Sequence, residues 1–188
     1  MAGWTTSVFL QNEATTDNFL NMNGNSPRIL HISTHGFAET RSSAIKLPAL
    51  KDAFNPLDLT GIILANGNEG WLHGSKESHK GILLATEIAQ MNLSKTDVVF
   101  VSCCFSGEGI VKPDGIYGIQ RALKKAGTQT IIMSLWAENE FMGKLFAKEF
   151  YRSYLSGQDK YEAFKSAKQA IREQSRDPYL WAGYVMLD

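Results

Sequence analysis

Short, continuously apolar segments separated by amphipathic stretches constrain the fold of this chain more than any other feature. Residues 98–101 (VVFV) and 130–133 (TIIM) are two such segments. A strand without polar positions must be buried on both faces, as in a parallel sheet covered by helices. Between the strands, apolar residues recur at helical spacing, most clearly in residues 159–175. The alternation predicts an α/β fold with a mostly parallel central sheet and helices on both faces.

The individual elements follow from the same patterns. An N-cap at Thr15 or Thr16 marks the start of the first predicted helix. We predict strands at residues 6–10, 28–34, 59–67, 98–104, 130–136 and 182–188, helices at 13–22, 83–91, 113–127, 138–157 and 159–175, and irregular segments at 37–56 and 68–81. Long irregular loops in a compact domain are usually functional or disordered, so residues 37–56 and 66–80 are predicted lid or processing segments.

Composition excludes several classes of protein. The chain has 188 residues, 44% of them hydrophobic, and its nineteen basic residues balance nineteen acidic ones. This balance leaves no electrostatic footprint for nucleic acid or an anionic membrane. The apolar segments are too short to span a bilayer, and the first residues lack the pattern of a signal peptide. Two adjacent cysteines make no disulfide framework. We therefore expect a cytoplasmic protein of one domain.

Two strand ends carry reactive side chains. Residues 29–34 lead to His35, and residues 98–103 lead to Cys104. Catalytic groups in α/β folds gather at the carboxyl ends of the strands. If these two strands are parallel neighbours, His35 can take the thiol proton of Cys104. Gly107, Gly109 and Gly36 can turn backbone N–H groups towards a developing oxyanion. The pattern is that of a Cys–His dyad.

Simpler interpretations of the same residues stay open at this point. Cysteine is among the most buried residue types, so both cysteines can be core residues. A histidine beside a glycine at a strand end is often only a hydrogen-bonding loop residue. A metal site is disfavoured, since His31 and His35 are spaced for a helix rather than a strand, and adjacent cysteines lack the spacing of zinc knuckles. The chain contains no phosphate-binding loop of the GxxxxGK[ST] type.

Four longer segments together resemble the CHAT domains, which are caspase-like cysteine peptidases related to separase. The segments are ILHISTHGF (29–37), TDVVFVSCCFSGEG (96–109), DGIYGIQRALKKAGTQTIIMSLW (114–136) and DPYLWAGYVML (177–187). The resemblance implies a caspase-like three-layer sandwich. It also implies that Cys104 is the nucleophile, that Cys103 is a buried small residue, and that His35 is the base. The amides of Gly36 and Cys104 would form the oxyanion hole.

The substrate-binding region departs from the family pattern. After SLW the family often has Pro or Lys, then Val and acidic residues, whereas this chain has Ala137-Glu138-Asn139-Glu140. Acidic residues in this region help separase-like peptidases to bind a basic side chain before the scissile bond. The resemblance implies these substrate-binding residues: Asp114, Trp136, Glu138, Asn139 and Glu140. For Asp114 and Glu140 the alternative is a solvated charge at the start of a helix.

We expect residues 1–188 to form one CHAT peptidase domain, the C-terminal part of a longer protein, without the usual first strand. The missing strand would expose an edge of the sheet. The expected function is a cysteine endopeptidase that needs no metal or other cofactor. Its partners would be a protein or peptide substrate and a regulatory partner or tetratricopeptide-repeat region, with no nucleic acid and no membrane. A latent interaction module is the second hypothesis, and a nucleotide- or flavin-binding domain ranks last because no glycine-rich phosphate loop follows the first strand.

Overall fold

The computed structural model describes residues 3–44, 50, 52–73, 81–103, 109–113, 115–137 and 139–188. The strands are β1 (Ile29–Ser33), β2 (His35–Ala38), β3 (Thr60–Ile63), β4 (Ile82–Leu84), β5 (Val98–Ser102), β6 (Ile110–Lys112), β7 (Gly115–Tyr117), β8 (Thr130–Ser134) and β9 (Tyr184–Leu187). The α-helices are α1 (Thr16–Leu20), α2 (Arg41–Ala44), α3 (Gly67–His73), α4 (Ala85–Ile88), α5 (Ile119–Lys125), α6 (Glu140–Leu155) and α7 (Lys160–Gln174). Short 3-10 turns span Gln11–Glu13, Pro56–Leu59 and Pro178–Leu180.

The central sheet has the strand order β1-β5-β8-β9. Strands β1, β5 and β8 are parallel, and β9 pairs antiparallel with β8. A second sheet, β2-β3-β4, is antiparallel, and β6 and β7 form a separate hairpin. The α/β fold with a mostly parallel central sheet is therefore confirmed, and it is compatible with a caspase-like layout.

Both faces of the central sheet are covered, which explains why its strands lack polar positions. Val99 and Val101 of β5 face a core shared with α4 and α5. Val98 and Phe100 face the other way, into a core shared with α6 and α7. Alternate residues of one strand thus belong to different cores.

Three of the predicted elements were wrong in extent or type. Residues 6–10 form no strand, because no described residue pairs with them and a strand needs a hydrogen-bonded neighbour. The predicted helix 113–127 starts only at Ile119, after the β6–β7 hairpin, and ends at Lys125, two residues before Gly127, whose φ of +98° suits a helix stop. The segment 66–80, predicted to be irregular, contains α3, while residues 74–80 lie outside the described part.

The predicted cap of the first helix is confirmed, while two further predicted segments, 37–56 and 83–91, were wrong in part. Thr15 caps α1, its Oγ1 accepting a hydrogen bond from the Asn18 backbone N–H at 3.1 Å. The segment 37–56 holds the end of β2 and the short α2, and its residues 45–49 and 51 lie outside the described part. The predicted helix 83–91 is split between β4 and α4. No helix among the described residues is long and apolar enough to cross a membrane.

Candidate active site at the carboxyl ends of the strands

Strands β1 and β5 end level with each other. Their parallel register pairs Ile32 with Val101 and Ser33 with Ser102, the last residue of each strand. His35 comes two residues after Ser33, and Cys104 comes two residues after Ser102. Neighbouring strands lie about 4.8 Å apart. The expectation that these strands are parallel neighbours is therefore confirmed, while Cys104 itself lies outside the described residues.

His35 starts β2 and is exposed to solvent. The chain turns from the central sheet into the second sheet at Thr34, whose hydroxyl donates to the Ile63 carbonyl oxygen. His35 then pairs with Ile63 across the antiparallel ladder of β2 and β3. Two contacts with Ile63 thus fix the backbone at His35, one from the Thr34 hydroxyl and one from the strand pairing, while the His35 side chain stays exposed.

The Gly36 amide points away from β3. In an antiparallel ladder, hydrogen-bonded and non-hydrogen-bonded residue pairs alternate. The Glu39 N–H donates to the Leu59 carbonyl at 2.8 Å, so Glu39–Leu59 is a hydrogen-bonded pair. Counting back by twos along the register gives Phe37–Gly61 and then His35–Ile63 as the next such pairs, and Gly36–Ile62 falls between these two. Gly36 therefore directs its N–H towards the outer edge of β2.

The opposite side of β3 agrees with this alternation. The Leu64 N–H donates to the Gly81 carbonyl at 2.6 Å, which makes Leu64–Gly81 a hydrogen-bonded pair with the β4 side. Two residues earlier in the same register, Ile62 faces Leu83 of β4. The backbone groups of Ile62 are thus engaged with β4, so they do not bind Gly36.

Cys103 is a core residue. It is 5% exposed and packs in the same core as Val101, on the α4 and α5 side of the sheet. The expectation that Cys103 is the buried member of the cysteine pair is confirmed. Whether Cys104 is also a core residue is not decided by this, because Cys104 lies outside the described residues.

Trp136 lies beyond the end of β8, the strand next to β5. The register pairs Val101 with Met133, so β8 ends at the same rim of the sheet. The Trp136 indole Nε1 donates to the Tyr179 carbonyl oxygen at 2.8 Å, and the two rings stack with their centroids 5.4 Å apart. Gly183 lies under the indole, where a Cβ would come within 2.7 Å of Trp136 Cε2. Trp136 is thus half-buried and fixed from behind.

Two other predicted substrate-binding residues cap α6. The Asn139 Oδ1 accepts hydrogen bonds from the backbone N–H groups of Phe141 and Met142, at 3.0 and 3.2 Å. Glu140 is exposed and pairs with Lys144, with 2.5 Å between Oε1 and Nζ. The Lys144 hydrogen bond and charge lower the pKa of the Glu140 carboxyl. Asp114 and Glu138, the remaining two, lie outside the described residues.

His31, the histidine of β1, packs against α6. It pairs in register with Phe100 and packs against it, and its Nδ1 lies 3.0 Å from the Tyr151 hydroxyl of α6. Burial of the imidazole lowers the pKa of His31, and burial of the phenol raises the pKa of Tyr151. Across the described part of the chain, no group of three or more His, Cys, Asp or Glu side chains could hold a metal ion.

Sequence reasoning missed the residues that support the rim. Tyr179 and Gly183 lie in the segment 177–187, which carried the resemblance but received no site role. The sequence gives only a weak signal for the contacts of Trp136 with Tyr179 and Gly183, because these contacts depend on how β9 pairs with β8. Thr34 was missed for a similar reason, since its partner Ile63 is distant in sequence.

The profile of the CHAT domain family matches residues 2–188 of this chain. The chain belongs to the CHAT domain family. Among curated proteins, the mouse Tetratricopeptide repeat protein 28 is 27% identical over 108 residues, which is 56% of this chain. The human Tetratricopeptide repeat protein 28 is 28% identical over a segment of the same length. The matched segment makes up only 4% of either relative. CHAT domains are associated with caspase-like cysteine peptidases.

Proposed function

We propose that this CHAT domain is a cysteine endopeptidase in which Cys104 is the nucleophile and His35 the base. The observation that carries the proposal is the common end of β1 and β5, where Ser33 pairs with Ser102 and each candidate group follows two residues later. A free thiol has a pKa near 8.5, and an adjacent imidazolium lowers it, so that the thiolate becomes abundant near neutral pH.

In the proposed reaction, the Cys104 thiolate attacks the carbonyl carbon of the scissile peptide bond. The new S–C bond pushes the carbonyl electron pair onto oxygen, and the Gly36 N–H, which points to the free edge of β2, donates to this oxyanion. His35 gives its proton to the leaving amine as the C–N bond breaks. Water, deprotonated by His35, then hydrolyses the acyl-enzyme and restores the thiolate.

Trp136 would form one wall of the substrate cleft in this proposal, because it lies at the same rim and is held by Tyr179 and Gly183. Asp114, Glu138, Asn139 and Glu140 are the proposed polar residues of the cleft. A basic residue before the scissile bond suits the carboxylates of Asp114 and Glu140. Glu140 would then exchange its Lys144 partner for substrate. We place the reaction in the cytoplasm, since a reactive thiol needs a reducing compartment.

Regulation by a repeat region is part of the proposal. The chain resembles a short segment of large proteins named for their tetratricopeptide repeats. A repeat region in the same polypeptide, or a separate partner, would control access of a protein substrate to the cleft. The substrate and the activating signal follow only from experiment.

A latent interaction module is the second candidate. The specific observation that favours it is that Asn139 and Glu140 are already engaged at the start of α6, by the helix cap and by Lys144. In such a module the cleft residues would serve the fold rather than a substrate.

The test is the rate of alkylation of Cys104 by iodoacetamide as a function of pH. It is made in a Cys103→Ala background, so that Cys104 is the one thiol that reacts. We expect half-maximal reactivity well below pH 8, and a shift towards about 8.5 in His35→Ala. The matched control is His31→Ala, which removes the histidine of β1, whose ring contacts Tyr151 of α6. An ordinary thiol titration that neither variant changes contradicts the dyad and favours the latent module.

A further inference from the structure

The C-terminal half of α7 and the residues just after it carry a cluster of three cations. Lys168 and Arg172 are four residues apart on the helix, and Arg176 follows its end. No ion pair joins any of these three side chains to a carboxylate among the described residues. The N-terminal half of α7 differs, since Lys160 pairs with Asp97 at 3.0 Å and Lys165 with Glu162 at 3.1 Å.

Nearby carboxylates are engaged elsewhere. The Glu173 Oε1 accepts from the Gln169 side-chain amide at 3.1 Å. The Asp177 Oδ1 caps the turn Pro178–Leu180 by accepting from the Tyr179 N–H at 3.0 Å. The charge of Arg172 also reaches Lys168: burial first, and then this neighbouring charge, lower the pKa of the Lys168 ammonium. The cations therefore repel one another rather than being neutralised.

The cluster borders a cavity of about 280 Å³. Its lining consists of Gln169, Arg172, Ser175, Arg176 and Trp181. The Arg172 guanidinium carbon lies 4.8 Å from the centre of the Trp181 ring, which orients the arginine over an aromatic surface. The side chains of Arg172, Ser175 and Arg176 thus line one concavity together with the indole of Trp181. Guanidinium groups bind planar oxyanions through two parallel hydrogen bonds.

We propose that this cavity, which we call the α7 pocket, binds an acidic segment of a partner protein through an aspartate or glutamate side chain. The carboxylate would bind Arg172 and Arg176, and an adjacent apolar group would pack on Trp181. The size of the pocket suits one or two side chains. A nucleic acid is disfavoured because it requires many phosphate contacts along a basic track. Here the pocket itself is lined by two guanidinium groups, those of Arg172 and Arg176, in a chain with no net charge.

The position of the pocket is independent of the proposed peptidase chemistry. Trp181 follows directly after the turn Pro178–Leu180, and Tyr179 in that turn stacks on Trp136. A bound segment would therefore contact the support of the rim without touching His35. The proposal concerns binding alone, and its test does not require catalytic activity.

The experiment measures binding of a fluorescein-labelled peptide of alternating glutamate and leucine by fluorescence anisotropy. The control peptide has glutamine in place of glutamate. We expect the acidic peptide to bind, the glutamine peptide not to bind, and Arg172→Gln with Arg176→Gln to weaken binding about tenfold or more. Arg176→Gln alone, beyond the helix end, gives a second variant that leaves α7 intact. Intrinsic fluorescence should change on binding, and Trp181→Phe should abolish that change.

The matched control is Lys125→Gln with Lys148→Gln, which alters the net charge equally but removes exposed lysines of α5 and α6. Binding in this control should stay within about twofold. An equal loss in the control, equal binding of the glutamine peptide, or stronger competition by inorganic phosphate or a single-stranded oligonucleotide overturns the proposal. Absence of binding at peptide concentrations up to about 1 mM overturns it as well.

Discussion

Trp136 stacks on Tyr179 with an angle of 20° between the rings, and its Nε1 donates to the carbonyl oxygen of the same residue. One side chain thus contacts both the ring and the backbone of its partner. The pair joins the end of β8 to the turn that precedes β9. Because β9 also pairs with β8, the rim beyond β8 is supported by two independent sets of contacts.

Gly183→Ala should destabilise the protein by roughly 1–3 kcal/mol, as overpacking of a buried site does. The added Cβ would lie 2.7 Å from Trp136 Cε2 and 2.9 Å from Cζ2, so the indole must move. The free energy of unfolding is measured by urea denaturation in four proteins: the wild type, Gly183→Ala, Trp136→Ala and the variant with both substitutions. If the clash is with the indole, Gly183→Ala costs much less when Trp136 is absent. Equal costs in both backgrounds would contradict this explanation.

Asp97→Asn should lower the free energy of unfolding at pH 7 by roughly 1–3 kcal/mol, the range for hydrogen bonds to a charged group. Asp97 accepts from the Tyr154 hydroxyl and from Lys160 Nζ at 3.0 Å, and lies 3.6 Å from an Arg28 nitrogen. Burial alone would raise the pKa of Asp97, but these hydrogen bonds and charges lower it below 3.8. Burial and the Asp97 carboxylate raise the pKa of Tyr154 to about 12, so Tyr154 stays a donor.

The pH dependence of this contribution has a definite sign. A carboxyl with a lowered pKa in the folded state stabilises the protein above its unfolded value of 3.8 and loses that effect as the pH falls through the folded value. The difference between wild type and Asp97→Asn should therefore shrink below pH 3.8. Asp52→Asn, at an exposed position, serves as control and should cost little at either pH. A difference that persists unchanged at low pH would argue against a role for the charge.

His31 should titrate below 6.5 in an NMR experiment that follows its imidazole protons. Its ring lies against Phe100 and Tyr151, and burial lowers its pKa although the residue keeps part of its surface in solvent. A histidine with a lowered pKa binds fewer protons than in the unfolded chain, so stability falls as the pH drops below 6.5. His31→Gln should remove this dependence and assign the resonance. Tyr151→Phe should keep the low midpoint, since burial is the cause; a midpoint at or above 6.5 contradicts this.

Cys103→Ala should leave the proposed peptidase activity nearly intact and cost about 1 kcal/mol of stability through a small cavity. Cys104→Ala and His35→Ala should each abolish cleavage while the fold is retained. Circular dichroism and thermal unfolding measure the fold, and cleavage of a denatured protein substrate measures activity. Full activity of Cys104→Ala would refute the assignment of the nucleophile.

The sequence was sufficient where burial decides the structure. The residues of β5 and β8 are apolar throughout because two cores enclose them, and this pattern is readable without coordinates. The mostly parallel direction of the sheet follows from the same reasoning, whereas the strand order that brings the ends of β1 and β5 together was assumed and could not be predicted from burial. The burial of Cys103 was expected only from its place in the family motif.

The sequence was insufficient where structure depends on partners distant along the chain. Residues 6–10 have the apolar character of a strand, but no described neighbour pairs with them, and Val8, Phe9 and Leu10 remain exposed. The β6–β7 hairpin was read as the start of a helix, although the Pro-Asp-Gly sequence before Ile116 is a turn signal. The engagement of Glu140 by Lys144 was open from sequence, because one carboxylate can serve either a helix end or a substrate.

Alternate residues of β3 direct their backbone groups towards β2 and towards β4, so the direction of the Gly36 N–H depends on which β3 residue Gly36 pairs with. Gly61 and Ile63 face β2, while Ile62 and Leu64 face β4, so every backbone group of this middle strand is already assigned. A slip of one residue between β2 and β3 would turn the Gly36 N–H into the sheet, and a slip of two would turn it out again. Insertions between Ala38 and Thr60 can thus change the length of that segment, provided that the register between β2 and β3 does not shift by an odd number of residues. The register between β2 and β3 therefore leaves two directions for the Gly36 N–H, out of the sheet towards the proposed oxyanion or into the sheet towards β3.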